Sequence, residues 1–191
     1  MEEKELIKDF QKGDKSAFEF LVKKYERRVF NLVVSFIQDR VTADDLAQEV
    51  FIKVYSALQK FQFKSQFSTW LYRITINHIK DYWRKKEIKK EVPLDNFTEY
   101  RKHVLLFEKD EMTKMEREKE EELRKKLVHK FLEKLPEKYK VILMLRDIQG
   151  FSYEEISKIL KISLGTVESR LFRARRALRN KLSPYLKSER R

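Results

Sequence analysis

The chain has 191 residues, 44 of them Lys or Arg against 31 Asp or Glu, giving a formal net charge of +13. That excess calls for a polyanionic partner, and composition alone leaves DNA, RNA and an acidic membrane surface open. There is no cysteine, which excludes disulfides, a thiol nucleophile and cysteine-based zinc sites, and only 3 Gly and 3 Pro, which disfavours turn-rich all-β folds.

In chain order, the acidic opening Met1-Glu2-Glu3-Lys4-Glu5 does not have the pattern of a signal peptide, and no apolar stretch reaches transmembrane length. The expectation is a cytoplasmic protein with no direct membrane insertion. Gly13 and Asp14 read as a turn and cap. Behind them Phe18, Leu21, Val22, Tyr25, Val29, Leu32, Val33 and Phe36 follow the three- and four-residue spacing of one buried helical stripe. Thr42-Ala43-Asp44-Asp45 reads as a capping box for a second helix, whose stripe is Ala47, Val50, Phe51, Val54 and Leu58. After a polar-aromatic segment, Phe61 to Phe67, Ser68 is the expected cap of a third helix carrying Leu71, Ile74, Thr75, His78 and Tyr82 on one side. These helices close a compact domain ending near Lys86.

From Glu87 to Lys114 the periodicity weakens, and Pro93, Asn96 and mixed charge predict a linker. The charged run Glu116 to Lys126 has helical ion-pair spacing. Apolar spacing resumes at Leu123, Leu127, Val128, Phe131 and Leu132. Pro136 fits the first turn of a further helix, with Val141, Ile142, Leu145 and Ile148 inward and Gly150 as its stop. The expected division is residues 1–87, a linker over 88–115, and 116–191, all α.

The last part of the chain reads as a helix-turn-helix. Ser152 and Glu155 form a capping box, Ile156, Ile159 and Leu160 the buried side, and Ser163 the cap of a second helix. Val167, Leu171, Ala174 and Leu178 recur at four, three and four, so they point inward. Thr166, Ser169, Arg170 and Arg173 then face outward, and Arg175, Arg176, Arg179 and Lys181 extend a positive strip. Such a helix suits base edges and phosphates. Glu168 opposes phosphate unless it accepts from a cytosine amino group or pairs with a neighbouring arginine.

A second nucleic-acid pattern lies upstream. Phe61, Phe63, Phe67, Trp70, Tyr72, Tyr82 and Trp83 are interleaved with Lys64, Arg73, Lys80, Arg84, Lys85 and Lys86. Rings beside cations suit single strands, because an unstacked base can restack on a ring or enter a pocket. Phe67, Trp70 and Tyr82 read first as core, and the loop residues Phe61, Lys64, Ser65 and Gln66 admit both readings. Arg73, Asn77, Lys80 and Arg84 share one helix face, with Asn77 suited to base edges and the cations to phosphate. Asp44, Asp45, Gln48 and Glu49 offer a docking face for a basic partner helix, or simply complement a helix start. His78, His103 and His129 are far apart in sequence with no ligand partners at metal spacing, and no glycine-rich phosphate loop is present. No metal, cofactor or covalent chemistry is expected.

Several tracts together resemble an extracytoplasmic-function (group four) sigma factor of bacterial RNA polymerase, in the sigma-70 family. They are Asp45-Leu46-Ala47-Gln48-Glu49-Val50-Phe51, Phe67-Ser68-Thr69-Trp70-Leu71-Tyr72-Arg73-Ile74, Asp81-Tyr82-Trp83-Arg84-Lys85, Leu135-Pro136-Glu137, and Gly165-Thr166-Val167-Glu168-Ser169-Arg170-Leu171. The resemblance implies two helical domains, sigma-2 and sigma-4, on a flexible linker. It implies that Asp45, Gln48 and Glu49 meet the clamp helices of the polymerase β′ subunit. It also implies that Phe61, Lys64, Ser65, Gln66, Phe67, Arg73, Asn77, Lys80 and Arg84 engage the −10 element as a separated strand. Thr166, Ser169, Arg170, Arg173 and Arg176 would contact the −35 element, with the sigma-4 domain on the β flap. An anti-sigma factor is a further implied partner. The competing reading is a helix-turn-helix regulator that binds duplex DNA without polymerase, commonly as a dimer on a two-fold operator. An RNA-binding or nuclease-like enzyme fits poorly without a metal cluster or convergent carboxylates.

Overall fold

A computed structural model describes residues 2–37, 39–89 and 128–186. Residues 90–127, which hold nearly all of the expected linker and the charged run with Leu123 and Leu127, lie outside the described residues. All regular structure among the described residues is helical.

The front of the molecule is built from α1 (Glu3–Gln11), α2 (Ser16–Phe36), α3 (Arg40–Leu58) and α4 (Phe67–Lys89). Helix α1 is an element the sequence reading did not anticipate. Glu5 accepts from the Glu2 N–H at 3.3 Å, and Leu6, Ile7 and Phe10 are buried against α2. Gly13, at φ +111°, makes the turn. Asp14 Oδ1 then accepts from the Ser16 N–H at 2.9 Å and its hydroxyl at 2.6 Å, so the acid caps α2 and its pKa is lowered. Along α2, Leu21, Tyr25, Val29, Leu32, Val33 and Phe36 are buried as the stripe predicts.

Helix α3 begins earlier than expected. Asp39 is the cap, accepting from the Thr42 N–H at 2.9 Å and from the Thr42 hydroxyl, which holds its carboxyl below the usual range. Thr42 to Asp45 therefore lie inside the helix, because Asp39 supplies a nearer acceptor for the first orphan N–H groups. Helix α4 likewise starts at Phe67, so Ser68 is helical rather than a cap. It is the central helix. Leu71, Ile76 and Ile79 are fully buried, and the buried Thr75 hydroxyl donates to the Leu71 carbonyl at 3.0 Å. The predicted stripe missed Ile76 and Ile79 and left Ile74 and Tyr82 only half-buried. A helix with neighbours on several sides has no single inward face; α4 meets α2, α3 and the C-terminal half.

Beyond a helical segment at 128–133, the C-terminal half contains α5 (Glu137–Leu143), α6 (Tyr153–Leu160) and α7 (Leu164–Leu186). Pro136 stands at the start of α5 as expected. A π-helical turn, Met144–Ile148, continues α5. Its wider turn rotates the register, so Leu145 is buried but Ile148 is 48% exposed, against the expected inward placement. Gly150, at φ +75°, ends the run. The Ser152–Glu155 box forms as predicted: Ser152 Oγ accepts from the Glu155 N–H at 3.1 Å, and Glu155 accepts from the Ser152 N–H at 2.7 Å. Ile156 and Ile159 of α6 pack with Val141 and Ile142 of α5 and with Val167, Leu171 and Ala174 of α7 in one core. Burying each large aliphatic side chain there contributes about 1.5–3 kcal/mol.

Candidate nucleic-acid interfaces

Helix α7 is set on the surface by the turn before it. Lys161, in the left-handed region at φ +54°, closes α6, and Ser157 Oγ donates to the Ile162 carbonyl at 2.6 Å. Ser163 Oγ accepts from the Thr166 N–H at 3.2 Å, which caps α7. Val167, Leu171 and Ala174 then point inward, leaving Ser169, Arg173 and Arg176 exposed and Thr166 and Arg170 half-buried. Among the described residues Arg170, Arg173 and Arg176 have no carboxylate partner. Arg175 differs: its Nη2 and Nε donate to the two oxygens of Asp147 at 2.6 and 3.2 Å. That fork ties α7 to the π turn and raises the pKa of Arg175. It removes Arg175 from the positive strip in which the sequence placed it. Phe172, 68% exposed on the same helix, was not singled out by the sequence reading. Its signal is simple: it falls off the Val167–Leu171–Ala174–Leu178 stripe.

The upstream loop is fastened from below. Gln11 Nε2 donates to the Leu58 and Phe61 carbonyls at 3.1 and 2.9 Å, and Gln59 Nε2 donates to the Gln11 carbonyl at 2.8 Å. Helix α1 therefore supports the loop that follows α3. Phe61 and Phe67 are buried in an aromatic cluster with Trp70, so neither ring has an open face in this conformation. The exposed ring is Phe63, whose φ of +55° tips it outward against Phe61 at 5.0 Å. Lys64 and Gln66 are exposed beside it, and Ser65 is half-buried.

On α4, Asn77 is exposed and Arg73, Lys80 and Arg84 lie along the same face, but the C-terminal half covers much of it. Arg73 Nη2 donates to the Lys158 carbonyl at 3.2 Å, while Arg73 Nε is buried without a hydrogen-bond partner among the described residues. Lys80 Nζ and Arg84 Nε lie 3.4 and 3.8 Å from the two oxygens of Glu137. Tyr72 meets Phe151 edge-on at 5.2 Å, and Lys140 sits 3.6 Å above the Trp83 ring. A cleft of about 470 Å³ remains between the halves, lined by Asp39, Thr42, Trp83, Lys86, Glu133 and Glu137 among others.

The third surface is the outer side of α3. Asp45 and Gln48 are exposed, and Gln48 Nε2 donates to Asp44 at 3.0 Å. Glu49 is also exposed but is not isolated: its Oε2 lies 2.8 Å from His78 Nε2, off the line of the N–H. Lys53 Nζ lies 2.7 Å from His78 Nδ1. Burial, then the Lys53 charge, lowers the His78 pKa, with Glu49 opposing. The lowered pKa favours the neutral imidazole, which sits between α3 and α4. Among the described residues no group of His, Asp or Glu is arranged to hold a metal, and no helix is long and apolar enough to cross a membrane.

Two helical halves, one ending in a capped basic helix-turn-helix, are the architecture of a DNA-binding protein. Comparison with known proteins gives the family. The pattern described as Sigma-70 region 2 matches residues 21–88, and Sigma-70, region 4 matches residues 125–178. The chain is 38% identical over 190 residues to the RNA polymerase sigma-H factor of Pseudomonas aeruginosa, covering 97% of this chain and 96% of that protein. It is 36% identical over 185 residues to the ECF RNA polymerase sigma-E factor of Escherichia coli K12, covering 95% of each. Its fold is similar to CnrH, solved in complex with the cytosolic domain of CnrY, at a TM-score of 0.63 and 25% identity over 94% of this chain and 96% of that one.

The chain belongs to the sigma-70 family, in its extracytoplasmic-function group. It is an RNA polymerase sigma factor, acting in promoter recognition and transcription initiation, and the polymerase-independent regulator is not favoured. Sigma factors are not a catalytic family.

Proposed function

We propose that the two halves divide the promoter between them, with residues 1–87 docking on core polymerase and reading the −10 element, 88–115 as the tether, and 116–191 reading the −35 element. The observation that supports this is two unlike polar surfaces on one chain: a capped helix whose Arg170, Arg173 and Arg176 have no carboxylate partner among the described residues, and a second helix pairing cations with an exposed Asn77 beside a polar loop. On α7, Arg170, Arg173 and Arg176 hold phosphate while Thr166 and Ser169 sit at the groove edge. Opening the duplex costs on the order of a few kcal/mol for each unstacked base. Lys64, Ser65 and Gln66 offset this by holding an extruded base, with Phe61 and Phe67 as the rigid floor beneath them. Asn77 reads base edges, and Arg73, Lys80 and Arg84 hold the separated strand's phosphates.

Asp45, Gln48 and Glu49 dock on the β′ clamp helices, and the C-terminal half sits on the β flap. The face of α4 cannot be covered by Glu137 and read DNA at once, so the halves part on polymerase. An anti-sigma factor is the expected inhibitor. The protein works in the cytoplasm and performs no covalent step itself. Transcription by purified core polymerase on a genomic library tests the proposal. Adding the protein should create new start sites sharing a two-part motif. Repression of existing starts alone would favour the polymerase-independent regulator.

A further inference from the structure

Glu49 and Lys53 stand one turn apart on α3, acid before base, the spacing and order that favour a helix ion pair. Both are exposed, yet among the described residues they make no ion pair with each other. Lys53 Nζ instead lies 2.7 Å from Nδ1 of His78, a ring only 6% exposed between α3 and α4. That contact fixes the tautomer. An ammonium only donates, so Nδ1 accepts and the ring proton sits on Nε2. Burial, then the Lys53 charge, lowers the His78 pKa and so keeps Nδ1 unprotonated for this role. Nε2 lies 2.8 Å from Glu49 Oε2 but has no aligned hydrogen-bond partner among the described residues. The ring therefore engages Lys53 directly and Glu49 only loosely.

Removing the ring would leave Lys53 with its helical partner. These residues line an open cleft of about 450 Å³ whose other carboxylate, Asp81, is held by Arg84 at 3.2 Å. Glu49 is then the acid that Lys53 would neutralise. A carboxylate already paired within its own helix must break that pair before it meets a cation on another protein, which weakens association. We infer that His78 is a positioning residue for polymerase docking: by holding Lys53 it keeps the Glu49 carboxylate open to a basic partner helix. This rests on the reading that Glu49 docks on polymerase.

The test measures binding of the full-length protein to core polymerase, by competition against labelled wild type. Glu49→Gln should weaken binding about tenfold. No change there would remove the docking reading itself, a separate failure. His78→Leu, apolar and of similar size, releases Lys53 and should weaken binding about two- to fivefold. Adding Lys53→Met to His78→Leu should restore binding, which a ring needed only for packing would not allow. His78→Asn offers Lys53 an amide oxygen in place of Nδ1, so it should bind like wild type even though the smaller side chain lowers stability. Lys53→Met alone leaves the ring in place and should change binding less than about twofold. A loss there as large as that of Glu49→Gln would make Lys53 itself a contact and overturn the inference, whether or not His78→Leu folds. The inference also fails if His78→Leu binds as well as wild type, or if its defect persists after Lys53→Met.

Discussion

The two helices proposed to face DNA are kept differently. On α7 the outward arginines at 170, 173 and 176 have no carboxylate partners among the described residues, and the one engaged arginine, Arg175, braces the fold through Asp147. On α4 the three cations of the proposed reading face are all occupied: Arg73 by the Lys158 carbonyl, Lys80 by Glu137, and Arg84 by Asp81 and Glu137. The outward face of α7 is therefore on offer, while that face of α4 is held by the protein's other half. The ion pairs among the holding contacts are exposed or half-exposed and each worth at most about 1 kcal/mol, and the buried Arg73 Nε has no hydrogen-bond partner among the described residues; Tyr72 against Phe151 and a hydrophobic core continuous between the halves add apolar contact.

The comparison breaks if the halves form one cooperative unit. Leu171 is 1% exposed in the C-terminal core, so Leu171→Ala should cost about 2–5 kcal/mol. Calorimetry should show that loss in a C-terminal transition alone; a single shifted transition would mean the halves fold as one. The contrast within α7 is sharper still. Arg173→Ala should weaken duplex binding about tenfold and make its salt slope shallower by about one, whereas Arg175→Ala should lower stability and leave the salt slope alone. Equal effects of the two on binding would erase the distinction between presented and bracing arginines. A smaller effect is expected at the cover. Glu137→Lys removes both acidic contacts to α4 and should raise single-strand binding by the polymerase-free protein about three- to tenfold. No gain would mean the cover does not limit access.

The smallest effect concerns the link between α3 and α4. Because the His78 pKa is lowered on folding, the unfolded chain binds its proton more readily. Its contribution is present above the ordinary histidine pKa of about 6.5 and is lost as pH falls through the lowered folded value. His78→Gln should flatten the stability–pH curve below about pH 6.5, as followed by denaturant melts. An unchanged curve would mean another group sets it.

Much of this was legible in the sequence. The α7 stripe of Val167, Leu171 and Ala174 and the Ser152–Glu155 box were readable because a two-sided helix leaves one periodic face and local caps need only local residues. Three things were not readable. The π turn is set by packing and moved Ile148 outward. Helix α4, with neighbours on several sides, hides its inward set. The pairing of Glu137 with Lys80 and Arg84 spans the chain and has no local signature. Phe67 read as core in the sequence, but Phe61 carried no signal to separate it from Phe63, and the Gln11 contact to its carbonyl beneath the loop spans the chain.

The chain has no cysteine, so a single pair of labels can follow the cover directly. Lys85→Cys on α4 and Lys138→Cys on α5 are both exposed sites on opposite sides of the covering contact. Spin-label or fluorescence distances should be short and narrow in the protein alone. They should lengthen by at least one DNA turn, about 34 Å, when core polymerase and an open promoter are bound. An unchanged short distance in a complex whose −10 strand is demonstrably held by α4 would contradict the account.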